Sequence, residues 1–125
     1  MTRFQKRFFL SLVGLVLLTF VGWFFSAYPR GLFAAYADRV AGHDEIKVFG
    51  YPPPEIGEYS RLLRERYGVK MNVVAGCVVT QDLEWYVDGY NSVSEPRIRE
   101  KFGKDIFEEC WNEAKQAIPK KPVDR

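Results

Sequence analysis

Histidine occurs once and cysteine twice in this 125-residue chain, which leaves few of the side chains that hold transition metals. The lone His43 stands beside Asp44 and Glu45 in a glycine-flanked stretch and reads as a solvated linker residue rather than a ligand. There is no CxxC pair, so a thioredoxin-like dithiol is not supported. No P-loop or dinucleotide fingerprint occurs, and Ser60, Ser92 and Ser94 lack the surroundings of a nucleophile elbow. The acidic pairs Asp82 and Glu84, and Glu108 and Glu109, read as solvated helix faces. No metal and no cofactor is expected, and an enzymatic role is the weaker expectation. Neither sign of charge dominates. The net charge is +2, and with Arg3, Lys6 and Arg7 set aside the rest carries 15 basic and 16 acidic side chains. A near-neutral body lacks the basic face needed to neutralise phosphates, so no nucleic-acid partner is expected. No internal repeat is visible.

What the chain does have is one long charge-free run. Phe8 to Phe25 reads FFLSLVGLVLLTFVGWFF, and Ser26, Ala27 and Tyr28 extend it to 21 residues. About 20 residues at 1.5 Å each cross a hydrocarbon core of about 30 Å. The run has no polar stripe of the kind a core helix of a soluble domain would carry. Trp23 and Tyr28 lie near its outer end, where amphipathic rings favour the membrane interface, and Pro29 and Gly31 mark the exit. Three basic residues precede it, so the positive-inside bias places the N-terminus in the cytoplasm and the bulk of the chain outside. A cleaved signal peptide is the rival reading. It fits less well, because its apolar region spans about 7–15 residues and wants a small residue where Phe25 stands. Ala35-Tyr36-Ala37 has the small-x-small form but lies too far from the run. The span holds no GxxxG pair, only Gly22 and Ser26, and no ionisable residue, so it reads as a plain anchor.

The expected organisation is therefore a cytoplasmic segment 1–7, a transmembrane anchor 8–28, a juxtamembrane segment 29–43, an extracytoplasmic domain 44–118 and a flexible tail 119–125. In the juxtamembrane segment Leu32, Phe33, Tyr36 and Val40 share one helical face, suited either to the membrane surface or to packing on the domain. Ile46–Tyr51 is β-prone and stopped by Pro52-Pro53-Pro54, a rigid connector. Glu55–Tyr67 repeats apolar residues at three and four and ends at Gly68, which predicts a capped helix. Val69–Val79 reads as a strand buried on both faces, and strand–helix–strand order predicts a parallel pair. From Gln81 a helix is preferred to a hairpin strand, with Thr80 as its cap and Leu83, Tyr86, Val87, Tyr90 and Val93 on one face. Ser94-Glu95-Pro96 is expected to break the chain, with Pro96 starting a new helix that ends at Gly103. Asp105 caps a last helix carrying Ile106, Phe107, Cys110, Trp111, Ala114 and Ile118. The fold class is α+β: one N-terminal transmembrane helix and a small domain of two or three strands packed with three or four helices.

Two features carry the functional expectation. Trp85, Tyr86, Asp88, Tyr90 and Asn91 form an aromatic–polar cluster suited to a binding surface. Val74-Ala75-Gly76-Cys77 has the small-residue form of a lipidation signal, yet Cys77 lies 49 residues after Tyr28, so it reads as part of a buried strand. Cys77 and Cys110 then form an even pair for a disulfide in an oxidising compartment, worth about 3–4 kcal/mol. Two buried, unpaired thiols are the alternative. The leading expectation is a single-pass protein of a bacterial inner membrane. Its periplasmic domain would be an accessory module, with the lipid bilayer and an unidentified protein as partners. The alternatives are an envelope enzyme or ligand-binding domain using Tyr86, Asp88, Tyr90 and Asn91, and an immunity or inhibitor protein.

Overall fold

Thr2 opens the first helix by accepting from the Gln5 N–H, while the Gln5 side chain accepts from the Thr2 N–H, closing a capping box. The computed structural model describes residues 1–118, so the expected loose tail 119–125 lies outside the described residues. Helix α1 (Arg3–Phe24) is long and apolar enough to cross a membrane, and none of its residues is buried by the rest of the chain. At 1.5 Å per residue its length is about 33 Å. It is followed by α2 (Ala27–Ala41), β1 (Glu45–Phe49), α3 (Ile56–Tyr67), β2 (Lys70–Ala75), α4 (Gln81–Phe102) and α5 (Ile106–Ala117). Among the described residues five helices and a two-strand parallel sheet make an α+β fold, and the pairing expected from strand–helix–strand order is present.

Local signals explain most boundaries. Gly68 takes a left-handed backbone (φ 67°), from which its N–H reaches Arg64 O while the Val69 N–H reaches Leu63 O, ending α3. Thr80 Oγ1 accepts from the Leu83 N–H at the start of α4. Asp105 Oδ1 accepts from the Phe107 and Glu108 N–H groups at the start of α5. One core follows, in which Ile46, Leu62, Leu63, Val69, Ile98, Ile106, Phe107, Cys110 and Ala114 bury against one another. It lies between one face of the sheet and helices α3, α5 and the C-terminal half of α4.

Three expectations are corrected. The break at Ser94-Glu95-Pro96 does not occur: α4 runs unbroken through Pro96 to the left-handed Gly103. Anchors on both sides override the local preference, since Asn91 and Ser94 bond to β1 and Ile98 is fully buried in the core. The strand expected over Val69–Val79 stops at Ala75. Its partner β1 ends at Phe49 after a register irregularity, and a strand without a ladder partner has nothing to extend it. Nor is β2 buried on both faces, because Val73 is 53 % exposed.

The segment after α1 is more than a connector. The most extensive contact between elements is α2 against α4. Ala27, Gly31 and Ala35, spaced four apart, form the buried stripe of α2. A methyl group on Gly31 would strike the Tyr86 carbonyl, and one on Gly89 would strike that of Tyr28. The two backbones therefore touch where both helices lack a side chain.

Candidate functional site

The free edge of β1 is closed by side chains of α4 in place of a third strand. The Lys47 N–H donates to Asn91 Oδ1 (2.9 Å), and Asn91 Nδ2 donates to the Lys47 carbonyl (2.7 Å). One rung earlier the Ser94 hydroxyl donates to the Glu45 carbonyl. Alternate residues of a strand turn their backbone groups to the same edge, so Glu45 and Lys47 face α4 while Asp44 faces β2, where its carbonyl accepts from the Lys70 N–H.

On the sheet face away from the core the polar residues of both strands meet. Lys47 Nζ lies 3.1 Å from Glu45 Oε1 and 4.4 Å from the centre of the Tyr90 ring. Asn72 Nδ2 donates to the same Glu45 oxygen (2.9 Å). The Tyr90 hydroxyl donates to Asp38 Oδ2 of α2 (2.6 Å). Burial, followed by the Asp38 carboxylate, pushes the Tyr90 hydroxyl pKa well up, so Tyr90 stays a neutral donor. Every member is paired, and Lys47 is 9 % exposed, so the cluster binds α2, α4 and the sheet together. At one end of the sheet a shallow cleft of about 310 Å³ is lined by Gly42, His43, Asp44, Glu45, Gly68 and Lys70. Asp44 there is held by Arg97 (2.9 Å) and Lys101.

This geometry distributes the five residues expected to form one binding patch. Tyr90 is buried and Asn91 is spent on the β1 backbone. Tyr86 is half-buried, its carbonyl against Gly31, while Trp85 and Asp88 are exposed. A helix turns about 100° per residue, so neighbours in sequence point to different surroundings. The cysteines are likewise apart in environment. Cys77 is exposed in the bend after β2, Cys110 is buried in the core, and both thiols are free. Among the described residues no three His, Cys, Asp or Glu side chains converge as a metal ion requires.

An open surface lies instead on β2. The Lys70 N–H points to β1, so the Met71 and Val73 backbone groups point outward, where they find no hydrogen-bond partner among the described residues. Val73 is exposed on that edge, Val78 is exposed just beyond it, and Phe49 and Tyr51 are exposed at the end of β1. An unpaired strand with apolar side chains at its end is a template for another extended segment. The valine-rich run carried this signal in sequence, but its hydrophobicity suggested burial. Comparison with protein-family models, with curated proteins and with solved structures yields no match for this chain.

Proposed function

We propose that the chain is a single-pass membrane protein whose outer α+β domain is an accessory, protein-binding module of a bacterial envelope, and that the open edge of β2 is its binding surface. The anchoring half of this reading rests on α1, which is free of charge from Phe8 to its end and has no residue buried among the described residues. Such a surface suits a lipid environment. Arg3, Lys6 and Arg7 before the apolar run favour a cytoplasmic N-terminus. The binding half rests on the unpaired Met71 and Val73 backbone groups beside the exposed Val73 and Val78. Main-chain pairing supplies affinity in this mode, and pockets for alternate side chains supply specificity.

The test is photocrosslinking in native membranes, with benzoylphenylalanine placed at Val73 in one variant and at Asp88 in another. A discrete protein adduct from position 73, lost on adding Val78→Lys, is the expected result. Adducts from position 88 alone would return the binding surface to the exposed side of α4. Adducts from neither would end the protein-binding reading.

A further inference from the structure

One face of α2 is spent on α4, yet the other is as apolar as a core. Leu32, Phe33, Tyr36, Ala37 and Val40 follow the three-and-four spacing of a single helical face, and Phe33, Tyr36, Ala37 and Val40 are exposed, Val40 by 89 %. Within α2 itself this face is bordered by Arg30, three residues before Phe33, and Arg39, three residues after Tyr36, and both are exposed. The single acid of α2, Asp38, turns inward to the Tyr90 hydroxyl. Among the residues of α2, the margins of the free face thus carry positive charge.

Its position relative to α1 identifies what covers it. The chain reverses at Phe25-Ser26 so that the Phe24 and Phe33 rings meet edge to face, 4.9 Å between centres. Between the helices lies an apolar cavity of about 320 Å³, lined by Phe20, Trp23, Phe24, Leu32, Phe33 and Tyr36. Tyr36 therefore lines the same cavity as Phe20, which lies about one helical turn before the end of α1. If α1 is embedded, the free face of α2 is at the depth of its last turn, where aromatic rings meet headgroups.

From this continuity we infer that α2 is an interfacial helix: its Phe33–Tyr36–Val40 face docks on the outer leaflet, Arg30 and Arg39 reach lipid phosphates, and the domain is held down on the bilayer. The inference rests on α1 being a membrane anchor. It adds that α2 is clamped between lipid on one side and α4 on the other, so the domain is oriented as well as tethered. Apolar burial and attraction to anionic headgroups both strengthen such binding. Domain orientation in turn fixes the height at which the open edge of β2 is presented.

The test uses the full chain in vesicles of phosphatidylethanolamine and phosphatidylglycerol, with Cys77→Ser to remove the exposed thiol. Nitroxides are attached singly at Leu15→Cys, Ala37→Cys and Glu108→Cys, and collisions with oxygen and with a water-soluble nickel complex are measured. Ala37 is exposed and small, so the label there leaves the aromatic face intact. The expected result is high oxygen and low nickel accessibility at position 15, a severalfold loss of nickel accessibility at position 37 relative to 108, and its recovery on adding Phe33→Ser with Tyr36→Ser. A lipid-like signal at 15 with full nickel accessibility at 37 overturns the docking and leaves the anchor standing. A position 37 shielded from both reagents means that protein covers the face, which also overturns it. Nickel accessibility at position 15 removes the anchor and the docking together.

Discussion

The Asn91 carboxamide satisfies both backbone groups of Lys47, and no isosteric side chain apart from an amide can do so at once. Asn91→Ala leaves a half-buried N–H and C=O without partners, and each unmet group costs about 1–3 kcal/mol. The variant should lose about 2–4 kcal/mol in thermal unfolding followed by circular dichroism in detergent. Asn91→Asp keeps the acceptor but not the donor and should fall between. A loss below about 0.5 kcal/mol for Asn91→Ala, the range of an ordinary surface change, would mean that α4 does not close the sheet edge. The cysteines give a second test at this scale. Cys77 is exposed, while Cys110 sits in the core, where burial and then Glu109 raise its thiol pKa and suppress the thiolate. A maleimide should modify one thiol in the folded protein and two after unfolding. Protein purified without reductant that shows no reactive thiol in either state would establish a Cys77–Cys110 bond.

Helix α4 carries two local faults, and they should respond in opposite directions to repair. Pro96 lacks the N–H that would reach the Ser92 carbonyl, and its side chain is exposed, so Pro96→Ala restores a helical bond with no packing cost. It should stabilise by about 1–3 kcal/mol. Gly89→Ala also improves helix propensity, by about 1 kcal/mol. There, however, the new methyl strikes the Tyr28 carbonyl, a backbone atom with little room to move, so the net effect should be a loss of about 1–3 kcal/mol. A stabilised Gly89→Ala would show that α2 and α4 are not in close backbone contact. Helix α5 supplies the acid limb. Burial works against the ionised Asp105, but the Glu108 N–H, Arg99 and the Phe107 N–H outweigh it and hold the carboxyl below its usual range. Lys104, then the Tyr67 hydroxyl, lower Glu109. For groups with depressed values the stabilisation is complete above the ordinary carboxylate range, about pH 4, and is lost as pH falls through the depressed values. Asp105→Ala should cost about 1 kcal/mol at neutral pH and little at low pH, where the cap is already protonated. An equal cost at both would remove ionisation from the cap. These elements also mark what was legible. The capped starts of α4 and α5, and Gly68 after α3, are local signals that the sequence carries in the segment itself. The end of β2 depends on where β1 stops, and continuity through Pro96 depends on Asn91, Ser94 and Ile98 holding both halves, so neither can be read from the segment itself. The stripe Ala27–Gly31–Ala35 stood in the sequence at helical spacing, but its meaning lies in Gly89, far along the chain. The aromatic cluster at 85–91 was visible as residues yet not as a site, because helical rotation sends its members to α2, to β1 and to solvent.

For the molecule as a whole, the question is whether α1 belongs to the folded unit or only locates it. None of its residues is buried among the described residues, and it meets the rest mainly at α2, where Phe24 packs on Phe33 and Phe20 and Trp23 line the cavity beneath. All nine core residues, and the polar cluster around Lys47, come from Asp38 onward. A chain lacking residues 1–25 should therefore unfold cooperatively, with a midpoint within about 4 °C of the full chain, the shift that roughly 1 kcal/mol produces in a domain of this size. The same deletion uncovers the apolar face of α2 to water. In buffer the truncated chain should associate as its concentration rises, since a contiguous apolar patch without lipid or partner seeks burial. Vesicles of phosphatidylethanolamine and phosphatidylglycerol should disperse it, and sedimentation with and without vesicles measures both effects. Phe33→Ser with Tyr36→Ser should abolish the self-association and the vesicle binding together while leaving the midpoint unchanged, because neither side chain is part of the core. If the truncated chain instead fails to unfold cooperatively, the α1–α2 turn holds the domain together, and α1 is part of the fold despite having no buried residue.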